Sequence, residues 1–147
     1  MVRMVSIDPG EVHCGTAFWL GAKCYDVVEY SPGGLFASME KWLRHDSVDV
    51  IVVEEFRLYP NKANEQSYSS MGTPEVIGVI KYLVARFGKD GSVKLVFQPA
   101  TIKKPTRAMM KAKRIGNRAV TEGKGGHCSD AVLHGQRYLW RGTMGVA

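Results

Sequence analysis

Four positions in this sequence carry side chains that could do chemistry together. Asp8 closes an apolar run, Met4-Val5-Ser6-Ile7, and is followed at once by Pro9 and Gly10. Glu54 and Glu55 follow a second run, VDVIVV, at 48–53. His127 and Asp130 stand three apart in GGHCSDAVLHG, 125–135. A lone carboxylate at the end of a buried strand is costly, and two carboxylates side by side repel. A divalent cation removes both penalties. Hard oxygen ligands suit Mg²⁺ or Mn²⁺, which keep several waters and are completed by a substrate phosphate. Each feature alone also has an ordinary explanation. Asp before Pro-Gly is a common turn, strands often end in exposed acids, and an acid near a helix N-terminus is favoured by the macrodipole. Their joint occurrence after strands that should be neighbours favours the metal. His134, four beyond Asp130, shares the same helical face and reads as a helix-surface residue.

The elements that must position these groups follow from periodicity. Residues 2–8, 13–20 and 23–30 read as three strands, with Gly21-Ala22 as a hairpin turn. Ser31-Pro32-Gly33-Gly34 is a breaker. Leu35, Phe36, Met39, Trp42 and Leu43 recur at helical spacing over 35–45. Residues 48–53 form a strand buried on both faces, and 56–72 is a polar loop. Thr73 and Pro74 open a helix that runs to 87. Residues 93–98 form a further strand, 99–102 a helical turn, and 127–141 a last helix using Ala131, Val132, Leu133, Tyr138 and Leu139. The order β-β-β-α-β-α-β-α predicts an α/β fold with a five-stranded mixed sheet, three antiparallel strands plus two parallel, flanked by helices. The fourth strand, placed beside the first, sets Asp8 and Glu54 at neighbouring carboxyl ends, where open α/β sheets bind ligands. Side-chain alternation does not choose between Glu54 and Glu55, because this strand is buried on both faces.

Composition bounds the partners. The 147 residues suit one domain, 1–147. The three cysteines have no C-x-x-C spacing, which argues against a disulfide framework or zinc site and for a reducing cytoplasm. No signal peptide or membrane span is read, and no small-molecule cofactor is expected. Charge is uneven: residues 1–73 hold 10 of the 14 acids, and 74–147 hold 14 of the 20 Lys and Arg. Seven bases and no acid lie between Lys103 and Arg118. This stretch, within 103–124, reads as a basic mobile segment fit for a polyanion. An acid-rich half joined to a base-rich half is what a protein needs if it grips phosphates with one part and binds cations with the other.

The residues resemble a family. SIDPGEVHCGTAFW is similar to the opening of RuvC-type Holliday-junction resolvases: an apolar strand, Asp-Pro-Gly, then a Gly five residues on, here Gly15. VIVVEEF looks like their fourth strand, which ends in a catalytic Glu. VFQPATIKK resembles the strand leading to their basic segment, and HCSDAVLHG their last helix. The resemblance spans about residues 3–140 and implies a ribonuclease-H-like fold and a homodimer. It also implies cleavage of branched DNA to 5′-phosphate and 3′-hydroxyl ends with two Mg²⁺ or Mn²⁺ ions. It places Asp8, Glu54, His127 and Asp130 in the catalytic metal site, with Asp8 between the ions and His127 as a ligand or a group positioning water. Lys103, Lys104, Arg107, Lys111, Lys113 and Arg114 would contact phosphates. Phe56 and Tyr59 would meet the branch point by stacking, and Arg57 and Lys62 would pair with backbone. The departures are His127, where many members carry an acid, and a wedge matched only loosely by Phe56. They leave two alternatives open: a nuclease preferring forks or flaps, and a non-catalytic DNA-binding relative. Sugar-kinase and actin-like ATPases share the strand, Asp and Gly opening but need a second nucleotide-binding lobe.

Overall fold

A computed structural model describes residues 1–56, 72–89 and 91–143. The chain runs β1 (Arg3–Asp8), β2 (Cys14–Leu20), β3 (Lys23–Tyr30), α1 (Pro32–Arg44), β4 (Val50–Glu54), α2 (Gly72–Phe87) and β5 (Lys94–Gln98). A 3₁₀ turn at Ala100–Ile102 leads to α3 (Lys103–Ala112), α4 (Arg118–Glu122) and α5 (Gly126–Thr143). The five strands form one sheet in the order β3-β2-β1-β4-β5. β1 pairs antiparallel with β2 and parallel with β4, and β4 pairs parallel with β5. This is the sheet expected from the sequence, with β4 beside β1.

Alternation along the central strands sorts their side chains into two cores. Val5, Ile7, Ile51 and Val53 face α1 and α2, where Leu35, Met39, Leu43, Val76, Ile80 and Leu83 complete the larger core. Met4, Ala17, Trp19, Val50 and Val52 face the other way, against Ala131 of α5. Burying each of these large side chains is worth about 1.5–3 kcal/mol. The same parity carries past the apolar residues. Ser6 and Asp8 share the face of Met4, and Glu54 shares that of Val50 and Val52. The sheet therefore aims both acids toward α5.

α5 crosses β2, β1 and β4. Its lengthwise position is set by a buried hydrogen-bond chain. Trp19 Nε1–H donates to Ser6 Oγ at 2.9 Å, and Ser6 O–H donates to the Ala131 carbonyl at 2.6 Å. Ala131 follows Asp130 directly, so this tie registers Asp130 over the end of β1. Close approach is also required: a methyl group at Gly15 would collide with the backbone of His127 and Cys128, and one at Gly135 with the Trp19 indole.

Two local readings need correction. Ser31-Pro32-Gly33-Gly34 starts α1 rather than merely breaking the chain. Ser31 is its cap, accepting from the Gly34 N–H at 3.1 Å, and Pro32 fills the first turn. The basic stretch 103–124, read as a mobile segment, contains α3 and α4. α3 buries Thr106 and Met110, and α4 buries Val120, against Leu133 of α5. Two buried positions four apart are a minimal helical signal, and the many lysines obscured it. Cys14, Cys24 and Cys128 are free thiols. Among the described residues no helix is long and apolar enough to cross a membrane.

Replacing Ser6 with Ala leaves the buried Trp19 N–H without its partner. We expect a loss of about 1–3 kcal/mol in denaturant unfolding. A loss below a few tenths would remove this tie from the account of how α5 is registered.

Candidate active site

Asp8, Glu54 and Asp130 converge. Each offers a carboxylate oxygen, and the three lie within 4.8 Å of one another. Asp8 is only 5% exposed. β1 delivers Asp8, β4 delivers Glu54 from the adjoining parallel strand, and the first turns of α5 deliver Asp130. Glu54 rather than Glu55 joins the cluster, because strand parity turns Glu55 away. Glu55 lines a separate groove with Phe56, Pro74, Ile77, Gly78, Lys81 and Phe97.

His127 stands beside this group rather than within it. Its Nδ1 lies 2.6 Å from Asp8 Oδ2, and its side chain is partly exposed. His134 is not on the helix surface. It is fully buried, with Nε2 3.0 Å from Glu54 Oε2 and Nδ1 3.0 Å from Gln98 Oε1. Gln98 ends β5 opposite Glu54 and is itself buried. The sequence reading put His134 on the helix surface and passed over Gln98. The available signal was a polar residue closing the strand next to β4, together with a histidine one turn beyond Asp130.

The basic residues divide. Lys103 and Arg107, one turn apart on α3, point inward. Lys103 Nζ lies 3.3 Å from Glu54 Oε1 and 3.1 Å from Asp130 Oδ2. Arg107 Nε donates to the Val120 carbonyl at 3.1 Å, and its Nη2 is 3.8 Å from Asp130 Oδ1. Lys104, Lys111, Lys113 and Arg114 are exposed on and just after α3. Phe56 is half-buried in its groove. Arg57, Tyr59 and Lys62 lie outside the described residues.

These contacts set the protonation of the acids. Burial pushes Asp8 up, and the charges of Glu54 and Asp130 push it further, to about 9. Burial alone would raise Glu54 too. Hydrogen bonds from His134 and Asp8 and the charge of Lys103 outweigh it, holding Glu54 down at about 2. Burial opposes the charge on Lys103, but Glu54 and Asp130 raise its pKa on balance. The pair Asp8–Glu54 therefore shares one proton, carried by Asp8. Lys103 and Arg107 lie against Glu54 and Asp130 and match their charges while Asp8 keeps its proton, so a cation that displaced that proton would gain a third carboxylate ligand. A hard divalent cation fits this donor set.

The architecture is that of the ribonuclease-H-like α/β proteins. It aligns with T. thermophilus RuvC in complex with a Holliday junction substrate at a TM-score of 0.69 and 18% identity, covering 100% of this chain and 98% of that one. It aligns with the fowlpox virus resolvase in complex with Holliday junction DNA at a TM-score of 0.60 and 14% identity, covering 95% and 97%. No family model and no curated protein matches the sequence.

The shared proton predicts how stability depends on pH. An acid whose folded pKa is raised binds its proton more tightly folded than unfolded, so its deprotonation destabilises the fold. Without divalent ions, stability should fall as pH rises from Asp8's ordinary 3.8 toward about 9. Glu54 acts oppositely, but its contribution is complete above its ordinary 4.5. Thermal melts between about pH 5 and pH 9 should therefore decline in wild type and flatten in Asp8→Asn. Parallel pH profiles for the two proteins would contradict the assignment.

Proposed function

We propose that this chain is a metal-dependent endonuclease acting on branched DNA, with four-way junctions as its principal substrate. One observation carries the reading: three carboxylates from separate elements converge at the strand ends of a fold shared with junction-bound nucleases. Asp8, Glu54 and Asp130 would hold Mg²⁺ or Mn²⁺, two ions per site in this reading. Such ions make a nucleophile of bound water and stabilise the leaving 3′ oxygen, giving 5′-phosphate and 3′-hydroxyl ends.

The chain's own residues have distinct tasks in this reading. Asp8 must surrender its proton when the site fills, so metal affinity should rise with pH up to about 9. His127, held through Nδ1 by Asp8, would present Nε2 to the metal as a ligand or to the attacking water. Lys103 bridges Glu54 and Asp130 when no other cation does. Once relieved of that role it is placed to meet the substrate phosphate. Arg107 secures Asp130 and α4. Lys104, Lys111, Lys113 and Arg114 form the backbone-gripping surface, with no base readout implied. Phe56 would stack at the branch point, with Arg57, Tyr59 and Lys62 as further proposed DNA contacts. A two-fold symmetric junction needs two sites, hence a homodimer. α2 is a candidate for its interface, since it leaves Tyr82 exposed. The cytoplasm of a bacterium or an infected host suits both the substrate and the free thiols.

Labelled four-way junctions, forks, flaps, duplex and single strands, offered with Mg²⁺ and with Mn²⁺, test the reading. Four-way junctions should be cut fastest. Asp8→Asn, Glu54→Gln and Asp130→Asn should each lower cleavage by at least about 100-fold. Asp8→Asn should bind the junction as well as wild type, since it replaces a protonated acid by a neutral amide of the same shape. Normal cutting by Asp8→Asn would refute the site, and faster cutting of forks or flaps would replace the substrate.

Binding tests the basic surface separately. Each lost phosphate contact lowers the slope of log affinity against log salt by about 0.9. The double variant Lys111→Ala/Lys113→Ala should therefore bind more weakly, with a slope shallower by about 2. An unchanged slope would remove both residues from the interface.

A further inference from the structure

His134 and Gln98 are both buried, yet the pair ends on a carboxylate of the cluster. We propose that His134, backed by Gln98, is a positioning residue for metal binding. It fixes Glu54 so that Oε2 is committed to the protein and Oε1 is presented to the cation. The proposal rests on the metal-site reading above.

The argument is one of hydrogen-bond accounting. Glu54 Oε2 lies 3.0 Å from His134 Nε2, and only an N–H there makes this a favourable contact with a carboxylate. The far nitrogen, Nδ1, lies 3.0 Å from the Gln98 side-chain amide. That amide can turn either its oxygen or its NH₂ toward the ring, so it can satisfy Nδ1 with or without a proton. In both arrangements Nε2–H points at Glu54. The ring is also locked in place, since His134 is fully buried and Gln98 is 4% exposed.

The other oxygen of Glu54 behaves differently. Oε1 faces Lys103 Nζ at 3.3 Å, and the same ammonium reaches Asp130 Oδ2 at 3.1 Å. A positive charge thus already sits between the two carboxylates that would share a cation, on the side of Glu54 that His134 leaves open. Fixing one oxygen removes the rotation that would otherwise be lost on binding. Outer partners of metal ligands typically change affinity by about 10–100-fold when removed.

Mn²⁺ binding to the DNA-free protein, followed by electron paramagnetic resonance of the free ion, tests this without cleavage. The set is wild type, Asp8→Asn, His134→Leu, His134→Gln and Gln98→Leu, each checked for folding by circular dichroism. Wild type should bind Mn²⁺ and Asp8→Asn should not; equal binding by these two would defeat the metal-site reading itself. Given that difference, His134→Leu should weaken Mn²⁺ binding by about 10–100-fold, and Gln98→Leu should do so less. His134→Gln, which keeps an N–H donor, should recover most of the loss. Junction affinity without divalent ions should stay within about twofold of wild type in all three, since exposed α3 bases carry it. Wild-type Mn²⁺ affinity in a folded His134→Leu would overturn the proposal. If that variant does not fold, wild-type affinity in Gln98→Leu overturns it. Unfolding of both leucine variants would make the pair a core element only, and overturn it equally.

Discussion

Asp8 is a carboxyl group almost out of water, within reach of two more. The rest of the molecule is organised around that imbalance. Burial and two neighbouring acids push Asp8 up to about 9, while Glu54 stays ionised because His134 and Lys103 support it. A protein has no reason to bear such a repulsion for stability alone, since apolar residues of similar size would pack at the end of β1 without it. The arrangement makes sense as a receptacle for positive charge.

The fold supplies the convergence through a few constraints. Parallel pairing with Ile7 opposite Val53 brings Asp8 and Glu54 to the same edge, and strand parity turns both toward α5. The Trp19–Ser6–Ala131 chain then stops α5 where Asp130 completes the group. Gly15 permits the contact, because any side chain there would drive His127 away. α3 closes the remaining side with Lys103 and Arg107. The charge asymmetry of the chain thus becomes a spatial one. Acids collect at the strand ends, two bases face them, and the other bases of α3 face outward.

Much of this was legible in the residues, for physical reasons. Apolar runs on buried strands are unambiguous, so β1, β4 and their terminal acids stood out, and Leu35, Met39 and Leu43 marked α1 by spacing alone. Long-range pairing was not legible. Nothing local in a histidine says that it is fully buried against a glutamate 80 positions away. Lys103 illustrates the same limit: within a run of bases it looks like its neighbours, and only the packing of α3 on α5 separates it from Lys104. α3 and α4 themselves were hidden because their buried faces are small, so their periodicity was faint. The choice of Glu54 over Glu55 became physical only when strand parity was referred to α5 rather than to burial.

The most direct test of the central claim is anomalous diffraction from crystals soaked in Mn²⁺. The account predicts a manganese peak about 2.0–2.2 Å from carboxylate oxygens of Asp8, Glu54 and Asp130, with the Lys103 ammonium moved away. Crystals saturated with Mn²⁺ that show no peak among these three side chains, and Lys103 still bridging Glu54 and Asp130, would contradict it.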